Sequence, residues 1–339
     1  MLVHPSGVNS ELAGNVMSAY GSKTELGEFE DPSASTKNKN YYTTEELTPI
    51  EVNPAKQFKS ALENLVTSVD WNVQFDACNE IRRVCKYNQD LILQHGATLH
   101  SLVKQLVKLS DSMRSSLSKI ALITIRDMFF FLKRCMETYL DPLVKILLKR
   151  GSDTATFISE AAEAALLTMT LECSDSKVLA CLLSQQVHAK SNLQRLRICQ
   201  CLCQLVASMG NNILRFKDND KLICQLANYM KDACQEVRAY AKQAFYTMSQ
   251  AVMGQNDLEK LLQRVLNEVQ YKKVRGFLDT GAQQSDFMGN IANNRQADFV
   301  IKTAKNQNSG TASGTPTNVS AATPGSASGH IALGQNATK

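Results

Sequence analysis

Pairs of amphipathic segments with helical spacing recur along the middle of this chain at intervals of about forty residues. In the first pair, Phe58, Ala61 and Leu65 mark one apolar stripe, and Phe75 and Cys78 begin the next. A hairpin of two such helices cannot bury its apolar face alone, so successive hairpins must stack on one another. No segment alternates between apolar and polar residues as a half-buried strand does. We therefore predict an all-α fold, an α-solenoid of about five to six helical hairpins.

The repeats lie between two segments of different composition. Residues 1–52 are rich in polar residues and show no sustained periodicity, which is typical of disorder. Residues 276–339 are dominated by Gly, Ser, Thr, Asn and Ala, the composition of a flexible segment. The repeat length is that of HEAT and armadillo proteins. The predicted organisation is a disordered N-terminal tail over 1–52, a HEAT-repeat domain over 53–275 and a flexible C-terminal tail over 276–339.

Five polar breaks separate the two helices of successive hairpins. They lie near residues 71, 113–114, 154–157, 190–192 and 233–236. Asp70 is a favourable N-cap for the helix that follows the first break, since its carboxylate can accept from free backbone N–H groups. Single helices are predicted over Leu91–Leu109 and Met136–Lys149, and Arg82 is expected on or near the outer side of its helix.

In a stack of antiparallel hairpins, all loops within hairpins fall on one edge, which we call the loop edge. It combines the only tryptophan of the chain, Trp71, with basic residues in the loops or the first turns after them. Loops on a rigid scaffold are the usual place for binding residues. Two alternatives stay open: in one, Trp71 closes the first hairpin as a hydrophobic staple, and in the other, Arg238 pairs with Asp232 or Glu236. The basic candidates are Arg114, Lys190, Arg195, Arg197, Arg238 and Lys242.

The net charge is +5, and residues 51–279 carry 30 Lys and Arg against 23 Asp and Glu, so the repeat region is basic and favours an acidic partner. The basic strip lacks the interleaved aromatic residues on which bases stack, so nucleic acid is not expected. No apolar run approaches the ~18 residues of a membrane span. The N-terminus shows no secretory or lipidation signal, and the expected location is the cytoplasm.

The ten cysteines lie within apolar helical stripes, and no C-x-x-C pair occurs. They are expected to be reduced and to act as small hydrophobic residues, without a metal. No glycine-rich phosphate loop, paired-carboxylate signature or nucleophile elbow is present. The sequence therefore indicates a protein that is not an enzyme and has no cofactor, catalytic residue or small-molecule substrate.

At these loops the segment from about 54 to 270 resembles a TOG domain, the HEAT-type tubulin-binding module. The pattern is similar to the CLASP and Crescerin groups, and most similar to the TOG array regulators of axonemal microtubules, which act in cilia. The first loop resembles the family's loop in which a tryptophan packs on tubulin. The stretches that carry the resemblance are Asp70-Trp71, Arg114 to Ala121 with Asp127 to Phe129 and Leu132-Lys133, Phe157-Ile158 with Ala161, Ser191 to Leu193 with Arg197, and Gln235 to Arg238 with Lys242.

The resemblance implies a single-TOG microtubule-associated protein of the cytoskeleton, in the cilium, axoneme or basal body. The alternative is a HEAT or armadillo adaptor for a protein other than tubulin. Two positions depart from the family pattern: Gln74 stands in place of a basic residue, and the loop at 151–155 has no lysine. These departures leave open weaker tubulin binding, or a binding mode other than free-tubulin capture. The tubulin-binding residues implied are Trp71, Arg114, Ser115, Phe157, Lys190, Asn192, Arg197, Arg238 and Lys242.

Overall fold

The structure is a computed structural model that describes residues 41–94 and 96–281. The chain divides into two units, Met1–Leu47 and Thr48–Lys339. In the first unit, a turn joins Thr43 and Glu46, where the Thr43 backbone N–H donates to Glu46 Oε2 over 2.7 Å. Most of the two predicted tails, residues 1–40 and 282–339, lies outside the described residues.

The described helices of the second unit form six consecutive hairpins, within the predicted number. A short helix, α3, links the first hairpin to the second. The helices are α1 (Pro54–Thr67) with α2 (Trp71–Tyr87), then α3 (Gln89–Leu93), α4 (Gly96–Ser110) with α5 (Ser115–Leu132), α6 (Leu140–Arg150) with α7 (Thr156–Glu172), α8 (Asp175–Gln186) with α9 (Asn192–Met209), α10 (Asn219–Tyr229) with α11 (Gln235–Ala251), and α12 (Gln255–Val265) with α13 (Glu268–Gly281).

The hairpins stack in two layers. The second helices α2, α5, α7, α9 and α11 pack side by side in one layer, and the first helices α4, α6 and α8 pack in the other. Aliphatic side chains such as Ile81, Ile120 and Leu202 are fully buried. No strand occurs over 41–94 or 96–281, and the predicted all-α solenoid is confirmed. None of the helices in these ranges is long and apolar enough to cross a membrane.

The structure differs from the predicted helices at three places. The helix predicted over Leu91–Leu109 is divided into α3 and α4, and the one predicted from Met136 is preceded by a 3-10 helix, Lys133–Tyr139. Lys133 has a φ of 50°, which ends α5 abruptly and redirects the chain. Where one last helix is predicted from about Leu258 to Val269, the structure has the two helices α12 and α13, and α13 continues to Gly281.

The expected outer position of Arg82 is wrong, because its side chain is fully buried between α2 and α5. Its Nε donates to Asp127 Oδ2 over 2.7 Å, and its Nη1 donates to Asn79 Oδ1 over 3.0 Å. A buried guanidinium needs such partners, since an unpaired buried charge is costly. This ion pair fixes the first hairpin against the second.

The cysteines are free thiols, and most are buried in the helical layers. Cys78, Cys199 and Cys201 are examples, and burial raises the pKa of the Cys201 thiol to about 12. These residues pack as small hydrophobic side chains, as the sequence predicts. Cys135, in the 3-10 helix, is exposed.

Candidate functional site

The five predicted breaks are the loops within the first five hairpins, at residues 68–70, 111–114, 151–155, 187–191 and 230–234. Contacts between neighbouring repeats place these five loops beside one another. A sixth loop, at residues 266–267, joins α12 to α13 and was not among the predicted breaks. The first five loops define the loop edge in the structure.

Each of the five loops is closed by a side chain from the helix that follows it. The donor is one or two turns into that helix, and the acceptor is a carbonyl at the end of the preceding helix or in the loop. Satisfying these carbonyls holds each loop in one conformation. The bonds are Gln74 Nε2 to Ser68 O at 2.8 Å, Ser118 Oγ to Ser110 O at 2.6 Å, Ser159 Oγ to Gly151 O at 2.7 Å, Arg195 Nη1 to Lys190 O at 3.0 Å and Arg238 Nη1 to Asp232 O at 2.7 Å.

Trp71 is the first residue of α2 and is half-buried. The predicted N-cap is confirmed, because Asp70 Oδ1 accepts from the Asn72 backbone N–H over 2.8 Å. The guanidinium of Arg114, from the next repeat, lies over the indole with Cζ 4.4 Å from the ring centroid. Trp71 is therefore not a freely projecting ring, and its exposed face is shared with Arg114.

The second and third loops are joined by two contacts. Lys149 Nζ, near the end of α6, donates to both carboxylate oxygens of Asp111 over 2.7 and 2.8 Å. Lys119 Nζ lies 5.6 Å from the ring centroid of Phe157, which is exposed at the start of α7. Phe157 is thus exposed at the start of α7, with a lysine of the preceding repeat beside it.

The guanidinium of Arg197 binds groups of its own repeat and of the preceding one. It forms an ion pair with Glu163, and its Nε and Nη2 donate to Gly151 O over 3.1 Å and to Ser159 Oγ over 2.9 Å. Its Nη1 also donates to Gln200 Oε1 over 3.0 Å. Burial raises the pKa of the Glu163 carboxyl, against the opposing effect of Arg197. This geometry counts against the predicted contact role of Arg197, because its donors are spent on the third loop.

The fourth and fifth loops are joined by Arg195. Its Nε and Nη2 donate to Asp232 over 2.7 and 3.1 Å, and Nη2 also donates to Asn192 Oδ1 over 2.7 Å. The hydrogen bond from Arg195 holds the pKa of the Asp232 carboxyl below its usual range, although burial opposes it. The predicted pairing of Arg238 with Asp232 occurs through the backbone, since Arg238 Nη1 donates to the carbonyls of Asp232 and Ala233.

The remaining predicted site residues differ in how exposed their side chains are. Arg114, Ser115, Phe157, Lys190 and Asn192 are exposed on the loop edge. Lys242 is half-buried two turns into α11, with Nζ 5.6 Å from the ring centroid of Phe277 in α13. The structure thus directs Lys242 toward the last hairpin and away from the loop.

Three apolar side chains at the loop tips were not among the predicted site residues. Val69 and Met113 are fully exposed, and Val187 is largely exposed. Each interrupts a polar loop outside the apolar register of its helices, which is the signal that could have identified it. Single exposed apolar residues are ordinary, but a succession of them along one edge is typical of a protein interface.

Two further features of the described residues concern metal binding and a cavity. Within 41–94 and 96–281, no three His, Cys, Asp or Glu side chains are grouped to hold a metal ion. A cavity of about 250 Å³ lies between α11, α12 and α13, away from the five loops. Arg275 in its wall pairs with Glu259 over 2.6 Å and Asp279 over 3.2 Å.

Comparisons with known proteins agree with this architecture. The mouse TOG array regulator of axonemal microtubules protein 1 is 25% identical over 66% of this chain, which spans only 13% of that relative. The MAST/Orbit N-terminal domain crystal structure has a TM-score of 0.50 at 13% identity, and covers 70% of this chain and 100% of its own. A structure from work on microtubule plus-end tracking by XMAP215, CLIP-170 and EB1 has a TM-score of 0.52 at 16% identity, and covers 69% and 94%. These two structures show the fold. The family described as CLASP N terminal matches residues 53–271, and the chain belongs to it.

Proposed function

We propose that the helical domain binds tubulin through the loop edge and acts as a non-enzymatic microtubule-associated protein. The observation that carries this proposal is the loop edge itself. Five loops of a CLASP N-terminal domain are fixed by internal hydrogen bonds and joined to one another, while exposed basic and apolar groups remain on their outer side. A preformed surface loses little entropy on binding.

The contact residues proposed are those that the structure leaves on the outer side. Lys190 and Arg114 supply positive charge, and Phe157, Met113 and Val69 supply apolar contact. Interfaces of this kind combine an apolar centre with charges that steer association. Ser115 and Asn192 supply polar groups at the first residues of α5 and α9.

The finer parts of the proposal concern location and mode of binding. The similarity to a regulator of axonemal microtubules supports a cytoskeletal role in the cilium, axoneme or basal body. The proposed TOG domain covers residues 53–275, flanked by the segments 1–52 and 276–339. One such domain has no avidity by itself, so a second contact from a flanking segment or a second copy would strengthen binding to a lattice.

The proposal is tested by tubulin co-sedimentation of the Met113→Ala/Lys190→Ala double variant. We expect binding to fall at least about tenfold, because an apolar contact and a positive charge are lost together. The matched control is Lys104→Ala/Met253→Ala, which removes an exposed lysine of α4 and an exposed methionine of the α11–α12 turn. Circular dichroism establishes that both variants are folded. Equal binding by wild type and the loop-edge variant would remove the proposal and favour a HEAT-type adaptor for another protein.

A further inference from the structure

Arg114 differs from the other arginines of the loop edge. Arg195, Arg197 and Arg238 all donate hydrogen bonds to protein oxygens. The guanidinium of Arg114 forms no hydrogen bond or ion pair with any residue in the described ranges, and its side chain is exposed. It lies over the Trp71 ring, with Cζ 4.4 Å from the ring centroid.

This contact restricts Arg114 without using its donors. An exposed arginine loses rotamer entropy when it is fixed, and stacking on an aromatic ring bears part of that cost in advance. Its backbone is also held, since its N–H donates to Ser112 Oγ over 3.2 Å and its carbonyl accepts from the Ser118 N–H over 3.0 Å. The guanidinium is therefore preorganised while its N–H groups stay available.

The acidic groups of the adjoining loops are engaged elsewhere. Asp70 accepts from the backbone N–H of Asn72, and Asp111 is paired with Lys149. The positive charge of Arg114 is thus not neutralised by these two carboxylates. A planar guanidinium with free N–H groups matches a carboxylate through two parallel hydrogen bonds.

We propose that Arg114 is the receptor for a carboxylate of the partner, and that Trp71 is a positioning residue that holds the guanidinium for it. The proposal rests on the proposed function in that the partner is tubulin. It assigns the loss of binding expected for Trp71→Ala chiefly to the release of Arg114. A lysine at this position carries the charge but lacks the planar pair of donors.

The test is a double-variant cycle on tubulin affinity. We expect Arg114→Ala and Arg114→Lys each to weaken binding about tenfold, and Trp71→Ala alone about fivefold. In the Arg114→Ala background, Trp71→Ala should cost less than about twofold more, because there is no guanidinium left to position. Wild-type affinity in Arg114→Lys, or an undiminished cost of Trp71→Ala in that background, would overturn the assignment.

A second measurement separates this inference from the proposed function. Trp71 is the only tryptophan, so intrinsic fluorescence reports on the Arg114 contact directly. Titration with poly-L-glutamate should change the emission saturably in the wild type and much less in Arg114→Lys, with sodium chloride of equal ionic strength as the control. This response in a protein that does not bind tubulin would remove the proposed function and keep the carboxylate receptor. No response, or an equal response in Arg114→Lys, would overturn the receptor.

Discussion

The two ends of the loop edge use arginine in opposite ways. Between the first and second loops, Arg114 lies on the Trp71 ring and keeps its donors. Between the fourth and fifth loops, Arg195 binds both carboxylate oxygens of Asp232, and the two side chains are only 17% and 10% exposed.

This difference shows that a basic loop edge is not a uniform charged strip. A partly buried, doubly bonded arginine fixes geometry and has little left for a partner, because its donors are already used. A stacked, exposed arginine contributes little to stability and remains available for binding. The arginines of the C-terminal half of the edge are thus mainly structural, and we propose the N-terminal half as the main contact surface.

Among variants that test this difference, the largest loss of stability is expected for Arg197→Ala. The change leaves the largely buried Glu163 without its guanidinium partner and removes one of the two donors to the Gly151 carbonyl, so the free energy of unfolding should fall by roughly 3 kcal/mol. Urea denaturation measures the loss, and Arg114→Ala is the matched arginine control. A loss below about 1 kcal/mol would show that Arg197 is not a structural residue.

The next largest effect is the pH dependence of the stability that the Arg195–Asp232 ion pair contributes between the fourth and fifth loops. Because the folded-state pKa of Asp232 is lowered, its ion pair stabilises the fold above the unfolded-state pKa of about 4, and this contribution is lost as pH falls through the folded value. Asp232→Asn should cost about 2 kcal/mol at pH 7, and progressively less below about pH 4. Denaturation at several pH values measures the difference, and a pH-independent gap would contradict the assignment.

A smaller effect is expected at Gln74, which closes the first loop. Gln74→Met keeps the approximate volume and removes the donor to the Ser68 carbonyl, so it should cost about 1 kcal/mol. Thermal denaturation measures this loss. If the variant is as stable as the wild type, the bond does not hold the loop, and the departure from the family's basic residue stays unexplained.

The smallest effect on stability is expected for Arg114→Ala. An exposed cation–π contact is worth about 0.5–1 kcal/mol, so unfolding should change by no more than that amount. The emission of Trp71 should nevertheless shift to longer wavelength as the ring becomes more exposed to water. A stability loss like that of Arg197→Ala would mean that both halves of the edge are structural.

The architecture could be predicted from sequence because its signals are local. Apolar residues at helical spacing identify α1 and α2, and polar breaks identify the first five loops, since both depend on neighbours within one or two turns. The last hairpin was missed at α13, whose apolar residues are few and interspersed with charges. The positive φ at Lys133 was also missed, because lysine carries no signal for that conformation.

The roles of the arginines could not be predicted, because their partners lie about one repeat away in sequence. Arg82 reaches Asp127, and Arg195 reaches Asp232, only after neighbouring hairpins stack. From the sequence alone, these arginines and Arg114 all look like surface charges near loops. Spacing identifies where the loops lie, and the packing of the repeats decides which of their charges are left for a partner.

The most direct test of the account is amide hydrogen exchange of the protein with and without tubulin. Binding through the loop edge should slow exchange at 68–71, 111–115, 151–157 and 187–192, where backbone N–H groups at the loops become covered. The 3-10 helix at 133–139 and the α11–α12 turn, which lie between hairpins, should not change. A complex that protects those between-hairpin segments and leaves the loops exchanging as before would contradict the central claim.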